Sequence, residues 1–236
     1  MLPEDIKLKK LYKVVGDNYT NEGRFNENLL AASRKIFEKG SDNQYVPKKF
    51  NVEAVLSGLP FSLALQDKIY DLQNRINNLI DCNHRYWVKP ENLGIEYFVT
   101  KWPDDNAISS NKRREVISFI DKMNLKEFDL SIRGYQVNPD GVIVLKGYDA
   151  GVIRKVRSKC MSNFEWLPKK QSQWVHIPIG RILENISIEK HKLLIKDIIV
   201  SESGFIFNEV VKKIHYIKES RWYMESKEYV STVDLK

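Results

Sequence analysis

Two short stretches of this chain place chemically capable side chains at strand spacing. One is Gln173-Trp174-Val175-His176-Ile177-Pro178-Ile179-Gly180-Arg181. The other is Trp87-Val88-Lys89-Pro90-Glu91-Asn92-Leu93-Gly94-Ile95-Glu96-Tyr97-Phe98. In a β-strand, residues i and i+2 share a face. His176 is thereby matched with Pro178 on one strand, and Gly94 with Glu96 on the other. Imidazole titrates near neutrality and suits proton transfer. If the two strands are halves of one site, a carboxylate could complete an acid/base couple, which makes His176 and Glu96 the candidate catalytic residues. The plainer reading makes His176 a hydrogen-bonded strand histidine and Glu96 a strand carboxylate paired with Arg133 or Arg181.

Binding candidates lie close by in sequence. Arg181 and Arg133 could clamp a phosphate or carboxylate, because guanidinium binds such groups through two parallel hydrogen bonds. Tyr135 and Trp174 could stack on a base, as could Tyr86 or Trp87. Core packing is the commoner use of such rings. Gly94 lacks a side chain, which leaves room for a ligand or marks a bulge. His84 reads as a surface histidine. His191 and His215 have no metal-ligand spacing with Cys82 or Cys160, so no metal or cofactor is expected. No Gly-rich phosphate loop or nucleophile elbow is present.

Several elements must position these residues. Residues 1–24 are polar and mixed, with turns expected at Gly16-Asp17-Asn18 and Asn21-Glu22-Gly23. A helix is expected from Phe25 to Lys39, then a polar linker to Lys49. Phe50–Leu59 reads as a strand. Leu65, Ile69, Leu72, Ile76 and Leu79 define an amphipathic helix over 63–80. A loop over 81–92 precedes the strand 93–100. Ser109 or Ser110 can cap a helix over 112–123. Alternation over 128–146 around Asn138-Pro139-Asp140-Gly141 predicts a hairpin, and Asp149 can cap a helix over 150–161. Ile188–Ile199 reads as helix or a helix–strand mixture. Phe205–Trp222 completes the sheet, and a polar tail follows from Tyr223. The expected organisation is an extension over 1–48, a domain over 49–225 and a tail over 226–236.

Composition limits the class. The 236 residues are 42% hydrophobic and 11% aromatic, enough for a packed core. No apolar run reaches the roughly 20 residues a bilayer span needs. No secretory leader is evident, and two cysteines suggest a reducing compartment. A soluble cytoplasmic protein is therefore expected. The net charge of +7 and pI near 9.2 favour anionic partners. Residues 144–181 hold eight basic residues (Lys146, Arg154, Lys155, Arg157, Lys159, Lys169, Lys170, Arg181) against Asp149 and Glu165. That run is either a solvated helix face or a phosphate-attracting rim.

The motif strands, with the hairpin and helix between them, resemble the two-histidine phosphoesterase superfamily of RNA-ligase-like and cyclic phosphodiesterase proteins. The resemblance spans about residues 50–222. Its His-x-Thr or His-x-Ser motifs would fall at 94–96 and 176–178, the second followed by Gly180-Arg181. It implies an α+β, bilobal fold: two pseudo-symmetric antiparallel-sheet lobes with flanking helices around a central cleft. It also implies metal-independent acid/base hydrolysis of a cyclic phosphate or of a 2′–5′ or 3′–5′ phosphodiester in a nucleotide or short RNA. Three of the four motif positions depart from the pattern: Gly94, Glu96 and Pro178. Losing one positioned acid or base typically costs about 10²–10⁴ in rate. The alternative implied is a catalytically inactive nucleotide- or RNA-binding or interaction module.

Overall fold

The computed structural model describes residues 2–41, 44–80 and 84–236. Cys82 and parts of the expected linker and loop lie outside the described residues. Two antiparallel sheets make two lobes. In lobe one, β3 (Lys49–Gly58), β5 (Gly94–Lys101), β10 (Lys213–Arg221) and β11 (Ser226–Asp234) run in the order β11-β10-β3-β5. In lobe two, β4 (Arg85–Trp87), β6 (Phe128–Val137), β7 (Val142–Tyr148), β8 (His176–Ile182) and β9 (Ile206–Val211) run in the order β4-β8-β7-β6-β9.

The helices are exchanged between lobes. Helix α3 (Leu63–Ile80) follows β3 of lobe one but packs on lobe two, where Gln73 Nε2 donates to the carbonyls of Val88 and Ile179 at 2.7 and 2.8 Å. Beside it lies α6 (Ile188–Gly204), packed along β6. Helix α5 (Val152–Asn163) follows β7 of lobe two but packs on β5 of lobe one, next to α4 (Ser110–Lys122). The expected caps form: Ser109 Oγ accepts from Lys112 N, and Asp149 accepts from the Gly151 and Ile153 amides. This is the α+β, two-lobed arrangement that the resemblance implies.

The N-terminal segment differs from expectation. Residues Pro3–Glu22 form one helix, α1, not a stretch broken by turns. Pro3 at the first turn and Glu4 and Asp5 suit a helix start, and Gly23 at φ 61° closes its end. Leu8, Tyr12 and Tyr19 are buried along one side. Gly16 lies inside the helix, beside the Gln136 side chain. The next helix, α2 (Glu27–Arg34), ends before Lys39, because Phe37–Lys39 (β1) pairs with Tyr45–Pro47 (β2). Phe37 is buried among the rings of Tyr45, Tyr86 and Tyr223.

At the other end, the expected polar tail is strand β11, paired along β10. The turn between them crosses to lobe two. Arg181 Nε donates to Tyr223 Oη at 2.9 Å, and Tyr86 Oη donates to Glu225 Oε1 at 2.5 Å. No described helix is long and apolar enough to cross a membrane.

Candidate functional site at the paired motif strands

Strands β5 and β8 bring the two motifs to the boundary between the lobes, where they contact each other. In the lobe-one ladder Gly94 stands opposite Gly58, and Glu96 opposite Leu56. In the lobe-two ladder His176 stands opposite Lys146, and Pro178 opposite Val144. Residues directly opposite in an antiparallel ladder share a face. Glu96 therefore lies on the same sheet face as Leu56. That face carries a second apolar cluster, separate from the main core: Val52, Ala54, Leu56, Leu59, Val99 and Ile217, with Phe50, Trp102, Trp222 and Met224 packed against it.

Arg157 of α5 joins the two strands. Its Nε donates to the Tyr97 carbonyl at 2.5 Å, and its Nη2 reaches the carbonyls of Glu96 and Trp174, each at 3.2 Å. Nothing in the sequence separates Arg157 from the other cations of the 144–181 run. The packing of α5 against β5 is what singles out its side chain. Of that run, Lys146 is also buried and ion-paired to Glu202, while Arg154 pairs with Glu4 at 2.9 Å.

The electrostatics follow from burial. Glu96 is half-buried, and desolvation raises its pKa from 4.5 to about 6, with Arg157 pulling the other way. Burial and then the Arg157 charge lower the His176 pKa from 6.5 to about 4. Glu219, on β10 opposite Val52, is pushed to about 7 by burial, with Glu96 adding to the rise; the Met224 amide and Lys227 oppose it. The lobe-one side of the site is thus apolar and carries two carboxylates. Among the described residues, neither the His176 ring nor the Glu96 carboxylate has a hydrogen-bond partner.

The structure gathers some of the sequence-predicted residues and separates others. Trp174 sits edge-on to His176 at 5.6 Å and to Tyr12 at 5.5 Å. Gly94 is crowded rather than open: a Cβ there would meet Leu56 Cδ1 at 3.2 Å, the Ser57 carbonyl at 3.3 Å and Leu59 Cγ at 3.4 Å. Arg181 is occupied, bonding Tyr223, Asp140 and Ser33. Exposed Arg133 bonds Ser131 and stands over the Tyr148 ring. Tyr135 is fully buried and donates to Asp197 of α6 at 2.7 Å. It pairs with Leu145, one residue from the partner of His176, so it occupies the opposite face of lobe two.

No protein-family model matches the sequence, and no curated protein does either. Solved structures do match in three dimensions. Escherichia coli LigT complexed with ATP is 11% identical, covering 80% of this chain and 99% of its own, with a TM-score of 0.54. LigT complexed with 3′-AMP is 10% identical, covering 79% and 98%, with a TM-score of 0.52. TT0787 of Thermus thermophilus is 10% identical, covering 78% and 97%, with a TM-score of 0.54. The chain has a two-histidine-phosphoesterase-like fold. Of the two motif strands, β8 begins with His176 and β5 begins with Gly94.

Proposed function

We propose that this chain is a nucleotide- or RNA-binding module on the two-histidine phosphoesterase fold that does not hydrolyse its ligand by the two-imidazole route. The observation that carries this is the packing at Gly94. The route needs a second imidazole facing His176; position 94 has none, and even a Cβ there would stand 3.2–3.4 Å from Leu56, the Ser57 carbonyl and Leu59. The proton inventory agrees. His176 stays neutral down to about pH 4, and Glu96 adds negative charge where a phosphate would need hydroxyls. Binding is supported by the net charge of +7 and by the nucleotides carried by the LigT structures.

A second reading rests on the separated pKa values of His176 and Glu96. Pairs of groups pushed apart in this way can divide acid and base roles. Neutral His176 would be the base and protonated Glu96 the acid. Both forms coexist only between about pH 4 and about pH 6, so turnover would be confined to acid conditions. The test is an assay on 2′,3′-cyclic nucleotides and 2′–5′-linked oligonucleotides at pH 5 and pH 7.5, beside His176→Ala and Glu96→Gln. Nucleotide binding without turnover supports the first reading. Acid-confined turnover lost in both variants supports the second. Turnover that survives His176→Ala sinks the second, and turnover at pH 7.5 sinks the first.

A further inference from the structure

Beyond the motif strands, the β1–β2 hairpin, β4 and the β10–β11 turn enclose a cavity of about 790 Å³. That volume lies in the range of ligand sites. Its walls include Lys39, Lys89 and Arg221 against one carboxylate, Glu225, together with the rings of Tyr45 and Trp87. Each of these groups is held in place. Lys39 Nζ stands 4.0 Å from the centroid of the Tyr45 ring. Lys89 Nζ lies 3.0 Å from Glu225 Oε2, while the other oxygen of that carboxylate accepts from Tyr86. Arg221 Nη1 donates to the Pro47 carbonyl at 2.5 Å and lies 3.3 Å from Glu38. The Trp87 ring is laid on Gly180, where even a Cβ would approach to 2.3 Å.

We propose that this cavity binds single-stranded nucleic acid, with phosphates drawn to Lys39, Lys89 and Arg221 and a base set against Tyr45. The proposal rests on the reading of the chain as a nucleic-acid-binding module and gives that module its site. Two physical requirements for sequence-tolerant single-strand binding meet here: cations along a groove and an aromatic platform. At the motif strands, by contrast, Glu96 and Glu219 share an apolar face. Lys39, Arg85, Lys89 and Arg221 line the cavity against Glu225, with Glu38 beside Arg221, so the described lining stays net positive.

The experiment is fluorescence anisotropy of a fluorescein-labelled octauridylate against the full chain, from 25 to 200 mM salt. Binding is expected to weaken steeply with salt, since neutralised phosphates release counterions. Lys39→Glu and Arg221→Glu should each raise Kd by tenfold or more and flatten the salt slope by about one. Tyr45→Leu, which keeps the apolar contact with Phe37, should raise Kd about fivefold or more at unchanged salt slope. Lys122→Glu on α4 removes the same charge remote from the cavity and serves as control. Binding that is insensitive to the three cavity variants, or lowered as much by Lys122→Glu, overturns the cavity while leaving the module reading standing. No binding at 25 mM salt overturns both.

Discussion

The Arg157 guanidinium lies 3.2 Å from the Glu96 carbonyl, and the same nitrogen is 3.2 Å from the Trp174 carbonyl. One side chain on a helix thus ties β5 of lobe one to the segment that leads into β8 of lobe two. Burial lowers the Arg157 pKa, yet its position beside Glu96 and Asp149 favours the charged form. Removing it would leave three carbonyls short of a donor. Arg157→Met is expected to destabilise the protein by about 2–4 kcal/mol, since unsatisfied buried groups cost about 1–3 kcal/mol each before relaxation. The His176 pKa should also rise, because Arg157 now lowers it. Thermal unfolding and a histidine NMR titration read the two effects separately, and an unchanged His176 titration would exclude the electrostatic link.

Acid should act on His176 first through stability. Its folded pKa, about 4, lies below the ordinary 6.5. The neutral form is favoured by folding, so its contribution is complete above pH 6.5 and is lost as pH falls toward 4. His176→Gln should therefore narrow the stability difference between pH 7.5 and pH 4.5. Urea unfolding at both pH values measures this. An equal difference in wild type and variant would place the acid sensitivity elsewhere.

Glu219 has the opposite sign. Its folded pKa, about 7, lies above the ordinary 4.5, so folding favours the protonated form. That contribution is complete below pH 4.5 and is lost as pH rises through 7. Glu219→Gln keeps an oxygen for the Met224 amide and carries no charge. It should raise stability at pH 8.5 by on the order of 1–3 kcal/mol and change it little at pH 4.5. Equal effects at the two pH values would show that the carboxylate is not the cause.

Restoring a histidine to the first motif should not restore a two-imidazole site. Gly94→His would press Cβ against Leu56 and the Ser57 carbonyl. Overpacking of this kind costs about 1–3 kcal/mol. A lowered Tm with no gain in cyclic-phosphate hydrolysis is expected, and a gain in hydrolysis at unchanged Tm would show that the strand yields more easily than its contacts imply.

Tyr12 tests how firmly α1 is seated on lobe two. Its hydroxyl donates to the Val175 carbonyl and lies 3.1 Å from that of Gly147. Tyr12→Phe should cost about 1 kcal/mol for the lost hydrogen bond, and Tyr12→Ala about 3–5 kcal/mol. Hydrogen exchange along α1 should rise in both, more in the second. Unaltered exchange would mean that Leu8 and Tyr19 alone hold the helix.

Much of the fold could be read locally. Amphipathic spacing defined α3, and turn chemistry at Asn138-Pro139-Asp140-Gly141 defined the β6–β7 hairpin. Where expectation and structure part, tertiary contacts decide. Gly16 belongs to a helix whose Leu8, Tyr12 and Tyr19 are buried, and Phe37 leaves a helical run because β2 pairs with it. Strand β11 is polar on its exposed side, so only its pairing with β10 identifies it. At the site, strand alternation placed His176 and Glu96 on β8 and β5, but it could not show that Tyr135 faces α6 or that Arg181 is held by Tyr223. Those facts depend on register and on a turn from the far end of the chain.

The exchange of α3 and α5 between lobes also governs how the chain can reach its native state. Lobe two needs a helix encoded just after β3, and lobe one needs a helix encoded just after β7. Neither lobe can complete its core from a contiguous piece of chain. Lobe one also waits for β10 and β11, which come last in sequence yet flank β3. Productive contacts are therefore distant along the chain, and such topologies fold slowly. A chain cut between β5 and α4 should yield two fragments that fold only when mixed, and synthesis from the N-terminus should leave β3 and β5 without a finished sheet until the final strands emerge.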